Sequence, residues 1–131
     1  LVRSRGLGDV YKRQGVDFVM VGHQIMTEVD ADTPSDLSHA VVTDLLKQEL
    51  GFKGLAITDA QNMNTISANY SSGEAAVLAI QAGIDIVLMP VNLTEAVEGV
   101  YQAVQDGTIS EERIDESVQK ILLQKQRAGL L

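Results

Sequence analysis

Three short apolar runs, VDFVMVG (Val16 to Gly22), GLAITD (Gly54 to Asp59) and IDIVLMP (Ile84 to Pro90), set the tightest limit on how this chain can fold. Each is nearly unbroken in apolar residues, which suits strands covered on both faces rather than strands with one wet face. Glycine and proline punctuate them: Gly51 and Gly54 bracket the approach to the second, Gly83 introduces the third, and Pro90 closes it. The segments between them have helical spacing. Ser38 is placed to cap a helix with Val41, Val42, Leu45 and Leu46 on one face, preceded but not interrupted by Pro34. EAAVLAIQA (Glu74 to Ala82) reads as a helix ending at Gly83, its alanines permitting close approach to a sheet. Thr94 is the expected cap for a helix bearing Ala96, Val100, Ala103 and Val104. Ser110 is the expected cap for one bearing Ile114, Val118, Ile121 and Leu122. In the latter, Glu111 and Glu112 lie in the first turn and Lys125 and Arg127 near the end, an order that complements the helix dipole.

Alternating strands and helices imply parallel strands joined by right-handed crossovers. A doubly wound sheet and part of a (β/α)8 barrel both fit three such units. A complete barrel takes roughly 250 residues, so a chain of 131 would hold three or four of its eight units.

Composition narrows the function. With 45% hydrophobic and 21% charged residues the chain reads as about one globular domain. Its net charge is -8, and residues 1–14 hold four of the ten bases but only one of the eighteen acids. The remainder is therefore strongly acidic, a surface that repels phosphate backbones, and nucleic acid is not an expected partner. No run reaches the ~18 apolar residues of a membrane span. Absence of cysteine excludes disulfides and thiolate metal sites, and two histidines leave little for any other metal site. The leader RSRGLGDVYKRQ resembles translated sequencing-adaptor DNA, so residues 1–14 are expected to be non-native.

In either architecture chemistry gathers beyond the carboxyl ends of the strands. The first run delivers Gly22 and His23 there, the second Thr58 and Asp59, the third Met89, Pro90 and Asn92. From position alone Asp59 is a helix cap or turn former, or else a nucleophile or metal ligand. His23 is either a hydrogen-bonded strand-end histidine or a site residue. His39, beside the Ser38 cap, reads as a surface residue. Met20, Met26, Met63 and Met89 read as packing residues.

The order of the segments adds more. VDFVMVGH, TPSDLSHAVVTDLLKQELGFKGLAITDAQNM, EAAVLAIQAGIDIVLMP and AVQDGTISEERIDESVQKILLQK closely resemble the end of the catalytic barrel of glycoside hydrolase family 3. Within that family they look most like the bacterial β-N-acetylhexosaminidases. The resemblance implies that residues 15–131 are the C-terminal portion of a (β/α)8 TIM barrel, about three βα units plus a C-terminal helix. ELGFKGLAITD carries the most specific match, and through it the resemblance implies that Asp59 is the catalytic nucleophile. His23 matches a histidine near the sugar site and is the implied substrate-binding residue. Gln61 departs from the family's usual leucine.

The implied chemistry is a retaining hydrolysis of terminal β-N-acetylglucosaminide bonds in peptidoglycan or chitin-derived sugars, without a cofactor. Such a reaction needs a second group to protonate the leaving oxygen. In the hexosaminidase branch that group is a histidine near a KHFPGHG-like motif, which this chain lacks. The remainder of the barrel is therefore expected N-terminal to the chain, and the chain alone is expected to be inactive. A β-glucosidase or β-xylosidase of the same family is the alternative specificity. A non-catalytic doubly wound module is the alternative of another class. Either the bacterial cytoplasm or the cell envelope fits such an enzyme.

Overall fold

The computed structural model describes residues 15–131; the leader segment 1–14 lies outside the described residues. Two of the three apolar runs form strands, β1 (Phe18–Val21) and β2 (Leu55–Thr58). They pair in parallel, with Phe18 opposite Leu55 and Val21 opposite Thr58. The third run lies along the other edge of β2 but joins it through a single parallel bridge, Ile57 to Ile86. This corrects the expected strand over Ile84 to Pro90, and two side chains supply the reason. A continuing ladder would pair the amides of Ala56 and Leu88 with backbone carbonyls. Instead Ala56 N–H donates to Asp85 Oδ2 (3.0 Å) and Leu88 N–H to Thr58 Oγ1 (2.9 Å). Met89, at φ 48°, then turns the chain out of the extended conformation.

The helices follow their spacing, with differences at the caps. Helix α1 (Ala40–Glu49) is a π-helix, and at its end Leu50 N–H reaches back five residues to the Leu45 carbonyl (2.8 Å). Val41 and Val42 are buried, Leu45 and Leu46 half-buried, and Ser38 Oγ accepts from Val41 N–H at 3.4 Å. Helix α2 (Asn64–Ser67) is a single turn that the periodicity did not indicate. Helix α3 (Ser72–Ala82) starts where Ser71 Oγ accepts from Glu74 N–H and stops at Gly83, whose φ of 111° favours glycine. Helix α4 (Leu93–Gln105) is capped by Asn92 and not by Thr94: Asn92 Oδ1 accepts from Glu95 N–H at 3.2 Å. The last extended residue before α4 is Asn92, which leaves Thr94 inside the first turn. Helix α5 (Glu111–Arg127) is capped by Ser110 as its spacing indicated.

The core lies between the sheet and one helical layer. Val21 and Ala56 from the strands meet Val42 of α1, Ile66 of α2, Ala75, Ala79 and Ala82 of α3, and Ile84 of the third run. Small residues set the spacing: a Cβ added to Gly99 of α4 would lie 2.7 Å from the Cα of Gly73 of α3, so the two helices touch backbone to backbone. Expected cover on both faces fails for β1. Val19 and Val21 turn toward the core, whereas Phe18 and Met20 are 49% and 55% exposed, although Leu55, opposite Phe18 in the pairing, is buried and α5 borders the cleft at that end. No helix among the described residues is long and apolar enough to cross a membrane.

One polar cluster fixes the third run from below. The Asp85 side chain is fully buried. Its Oδ1 accepts from Ser117 Oγ (2.7 Å), while Lys47 Nζ donates to Oδ2 at 3.3 Å. Arg113 and Lys120 stand 3.8 and 3.9 Å from Oδ1. Burial pushes the Asp85 carboxyl up, but the bonds from Ser117 and Ala56 and the nearby cations outweigh it and hold it below the usual range. Lys47 moves the other way. Burial, aided by the charges of Lys120 and Arg113, lowers it despite Asp85, since one acid is shared among three bases.

Candidate active site

Beyond the carboxyl ends of β1 and β2 the chain makes a short, heavily tethered turn. Asp59 follows β2, and its N–H donates to the Val21 carbonyl at 2.9 Å, so the last bond of the β1–β2 pairing fixes the Asp59 backbone. Its side chain turns back on the chain, where Oδ1 accepts from Ala60 N–H at 2.7 Å. That engages one carboxylate oxygen. Among the described residues the other, Oδ2, accepts no hydrogen bond, and the residue is half-buried. Asp59 is therefore placed in a turn, neither caps α2 nor joins a metal cluster, and presents one oxygen of its carboxylate. The cap of α2 is Met63, and no group of acids and histidines that could hold a metal ion occurs among the described residues.

The next peptide is held from both sides. The N–H of Gln61 donates to the Leu88 carbonyl of the third run (2.9 Å), and the carbonyl of Ala60 faces His23 Nε2 (3.0 Å). His23, just past β1, is 7% exposed. Because a carbonyl can only accept, Nε2 carries a hydrogen whatever the charge of the ring. The other ring nitrogen, Nδ1, lies 3.0 Å from Oδ2 of Asp36, which sits in a 3₁₀ turn (Ser35–Leu37) and is fully buried. The ring N–H direction is imperfectly aligned with Oδ2. The short separation still decides the matter, since neither Nδ1 nor the Asp36 carboxyl has another partner among the described residues.

These contacts set the charges. Burial disfavours the imidazolium, yet the Asp36 contact, the Ala60 carbonyl and the charges of Asp36 and Asp59 together raise the His23 pKa above its ordinary value. Burial raises the Asp36 carboxyl, and its contact with His23 offsets that in part. Sequence reading did not single out Asp36. It lies two residues before the Ser38 cap, and its pairing with His23 spans thirteen residues.

The other expected residues are scattered. His39 is exposed and pairs with Asp44 at 3.4 Å. All four methionines expected to pack are exposed, between 41% and 55%: Met20 on the open face of β1, and Met26, Met63 and Met89 in segments beyond the strand ends. Gln61 is buried, its Nε2 donating to the Ala75 carbonyl at 3.3 Å while Oε1 has no partner. Clefts run along α5, between α3 and α4, and beneath the sheet, and neither Asp59 nor His23 lines these three.

Comparison with known proteins gives these positions a context. The family model described as "Glycosyl hydrolase family 3 N terminal domain" matches residues 10–123. A secreted glycosyl hydrolase of Arthroderma benhamiae without assigned activity is 35% identical over 113 residues, covering 83% of this chain and 32% of its own length. A beta-N-acetylglucosaminidase/beta-glucosidase of Cellulomonas fimi is 33% identical over 126 residues, covering 88% of this chain and 22% of that protein. The names of further relatives include lysosomal beta glucosidase and beta-xylosidase. Among solved structures, a glycoside hydrolase family 3 beta-N-acetylglucosaminidase from Paenibacillus sp. str. FPU-7 superposes with a TM-score of 0.89 at 40% identity. That match covers 93% of this chain and 24% of the other. The chain thus spans a third or less of the length of these relatives.

Proposed function

The chain belongs to glycosyl hydrolase family 3, and from that premise we propose that residues 15–131 are the C-terminal part of a catalytic barrel in which Asp59 is the nucleophile. The observation that carries this reading is the tethering of Asp59. Its backbone is bonded to β1, one carboxylate oxygen is occupied by Ala60 N–H, and the other is left for attack. A retaining glycosidase needs such a group, a carboxylate held in one orientation beside the anomeric carbon. The carboxylate displaces the aglycone to form a glycosyl-enzyme, which water then hydrolyses. Both ring nitrogens of His23 face protein groups, so the proton for the leaving oxygen comes from elsewhere in the complete domain. The open face carrying Phe18 and Met20 is the side that further strands of a barrel would enclose.

For the substrate, a terminal β-N-acetylglucosaminide is the reading supported by the 40% identity and 0.89 TM-score to the Paenibacillus enzyme. A β-glucoside or β-xyloside is the second reading, supported by the names of other relatives. In the complete catalytic domain, Asp59→Asn is expected to abolish hydrolysis of aryl N-acetyl-β-glucosaminide, and retained turnover would remove Asp59 from the mechanism. Faster hydrolysis of the aryl glucoside or xyloside by the wild type would overturn the N-acetylglucosaminide reading alone.

A further inference from the structure

We propose that His23 and Asp36 form a buried positioning pair that aims the Asp59 carboxylate through the Ala60 carbonyl, with one proton held between His23 Nδ1 and Asp36 Oδ2. The proposal rests on Asp59 being the nucleophile. Its basis is a continuous chain of contacts: Asp36 Oδ2 to His23 Nδ1 (3.0 Å), His23 Nε2 to the Ala60 carbonyl (3.0 Å), and Ala60 N–H to Asp59 Oδ1 (2.7 Å). The Asp59–Ala60 peptide, whose N–H orients the nucleophile, lies between two anchored peptides, Thr58–Asp59 bonded to the Val21 carbonyl and Ala60–Gln61 held by His23. Fixing the Ala60 carbonyl therefore limits the rotation left to the Ala60 amide. On the far side Gln61 N–H is held by the Leu88 carbonyl, and the turn has little freedom left.

Proton accounting gives the pair its second property. Nε2–H is required by the Ala60 carbonyl in every state. With Asp36 ionised, Nδ1 must also carry a hydrogen and the ring is an imidazolium; with the ring neutral, Nδ1 is a lone pair and Asp36 must hold the proton. Either way a single proton lies between the two groups, and neither has another partner among the described residues. The charged groups facing His23 are Asp36, from the 3₁₀ turn, and Asp59, from the end of β2. Asp36 is therefore the partner that keeps the ring from turning away from Ala60.

The test uses the complete catalytic domain with Asp36→Leu, Asp36→Asn and, as a control on the nucleophile, Asp59→Asn. Replacing Asp36 by leucine removes the partner of Nδ1, and kcat is expected to fall about tenfold or more with KM changed less than about twofold. Asparagine can donate to the Nδ1 lone pair while Nε2–H still meets Ala60, so Asp36→Asn is expected to restore kcat to within about threefold of wild type. Nitrogen-15 spectra of labelled histidine should show His23 Nε2 protonated throughout titration, the neutral form being the Nε2–H tautomer. Unchanged kcat in Asp36→Leu, a change in KM alone, or an Nδ1–H neutral tautomer would each overturn the proposal. If Asp36→Leu does not fold, the Asp36→Asn rate and the tautomer decide it by the same criteria. Activity surviving in Asp59→Asn would instead refute the nucleophile assignment and, with it, the aiming role, whereas loss there with unchanged Asp36→Leu refutes the pair alone.

Discussion

Replacing Asp85 tests the account of how the third run is held. Its carboxylate is fully buried, accepts from Ala56 N–H, Ser117 Oγ and Lys47 Nζ, and stands near Arg113 and Lys120. Asp85→Ala orphans the Ala56 amide and leaves Lys47 without its counter-ion. Breaking a buried pair by removing one partner costs about 3 to 5 kcal/mol, and an orphaned buried N–H about 1 to 3. The two overlap, because part of the ion-pair figure is already lost hydrogen bonding, so about 4 kcal/mol is expected in total. With a urea slope of about 1.5 kcal/mol/M, the midpoint should fall by roughly 2.5 M at neutral pH. Chemical denaturation followed by far-UV circular dichroism would measure it. A shift under about 0.5 M would refute the reasoning, since the cluster would then be worth less than about 1 kcal/mol. The pH dependence carries a sign as well. Asp85 is held below its ordinary value, so its contribution is present above the unfolded pKa of about 4 and is lost as pH falls through the lower folded value. Wild type and Asp85→Asn should therefore converge in stability as the medium is acidified through that range, and a constant gap would contradict the assignment.

Two further substitutions probe packing. Gly99→Ala should destabilise by about 1 to 3 kcal/mol, because the added Cβ would meet the Cα of Gly73, and that overpacking exceeds the gain of about 0.5 to 1 kcal/mol from alanine's better helix propensity; a raised urea midpoint would refute the backbone contact. Gln61→Leu removes one long hydrogen bond to the Ala75 carbonyl together with an unpartnered buried oxygen, so stability should hold or rise by about 1 kcal/mol. A loss above about 1 kcal/mol would show that the Gln61 amide holds α3 more firmly than its 3.3 Å contact implies.

Legibility followed the range of the forces involved. Ser110 and Gly83 bound their helices where local chemistry places them, because a cap or a left-handed residue answers to its nearest neighbours. Asn92 displaced Thr94 as a cap within the same short segment, a choice between two competent residues that the helix start resolved. The third run misled because its apolar pattern carries no record that Asp85 and Thr58 side chains would take the places of ladder carbonyls.

Sequence alone determined the periodicities, hence the order of two strands and four of the five helices, and it placed Asp59 just past a strand end. Tertiary structure decided what surrounds that acid. Asp36 and His23 meet across a loop of twelve residues, and Leu88 reaches the same turn from the third run. Such pairings depend on where separate elements dock, and a one-dimensional pattern encodes the docking only through the burial of many residues at once. Periodicity reports which face of an element is apolar; it does not report which buried polar group on one element will find which partner on another.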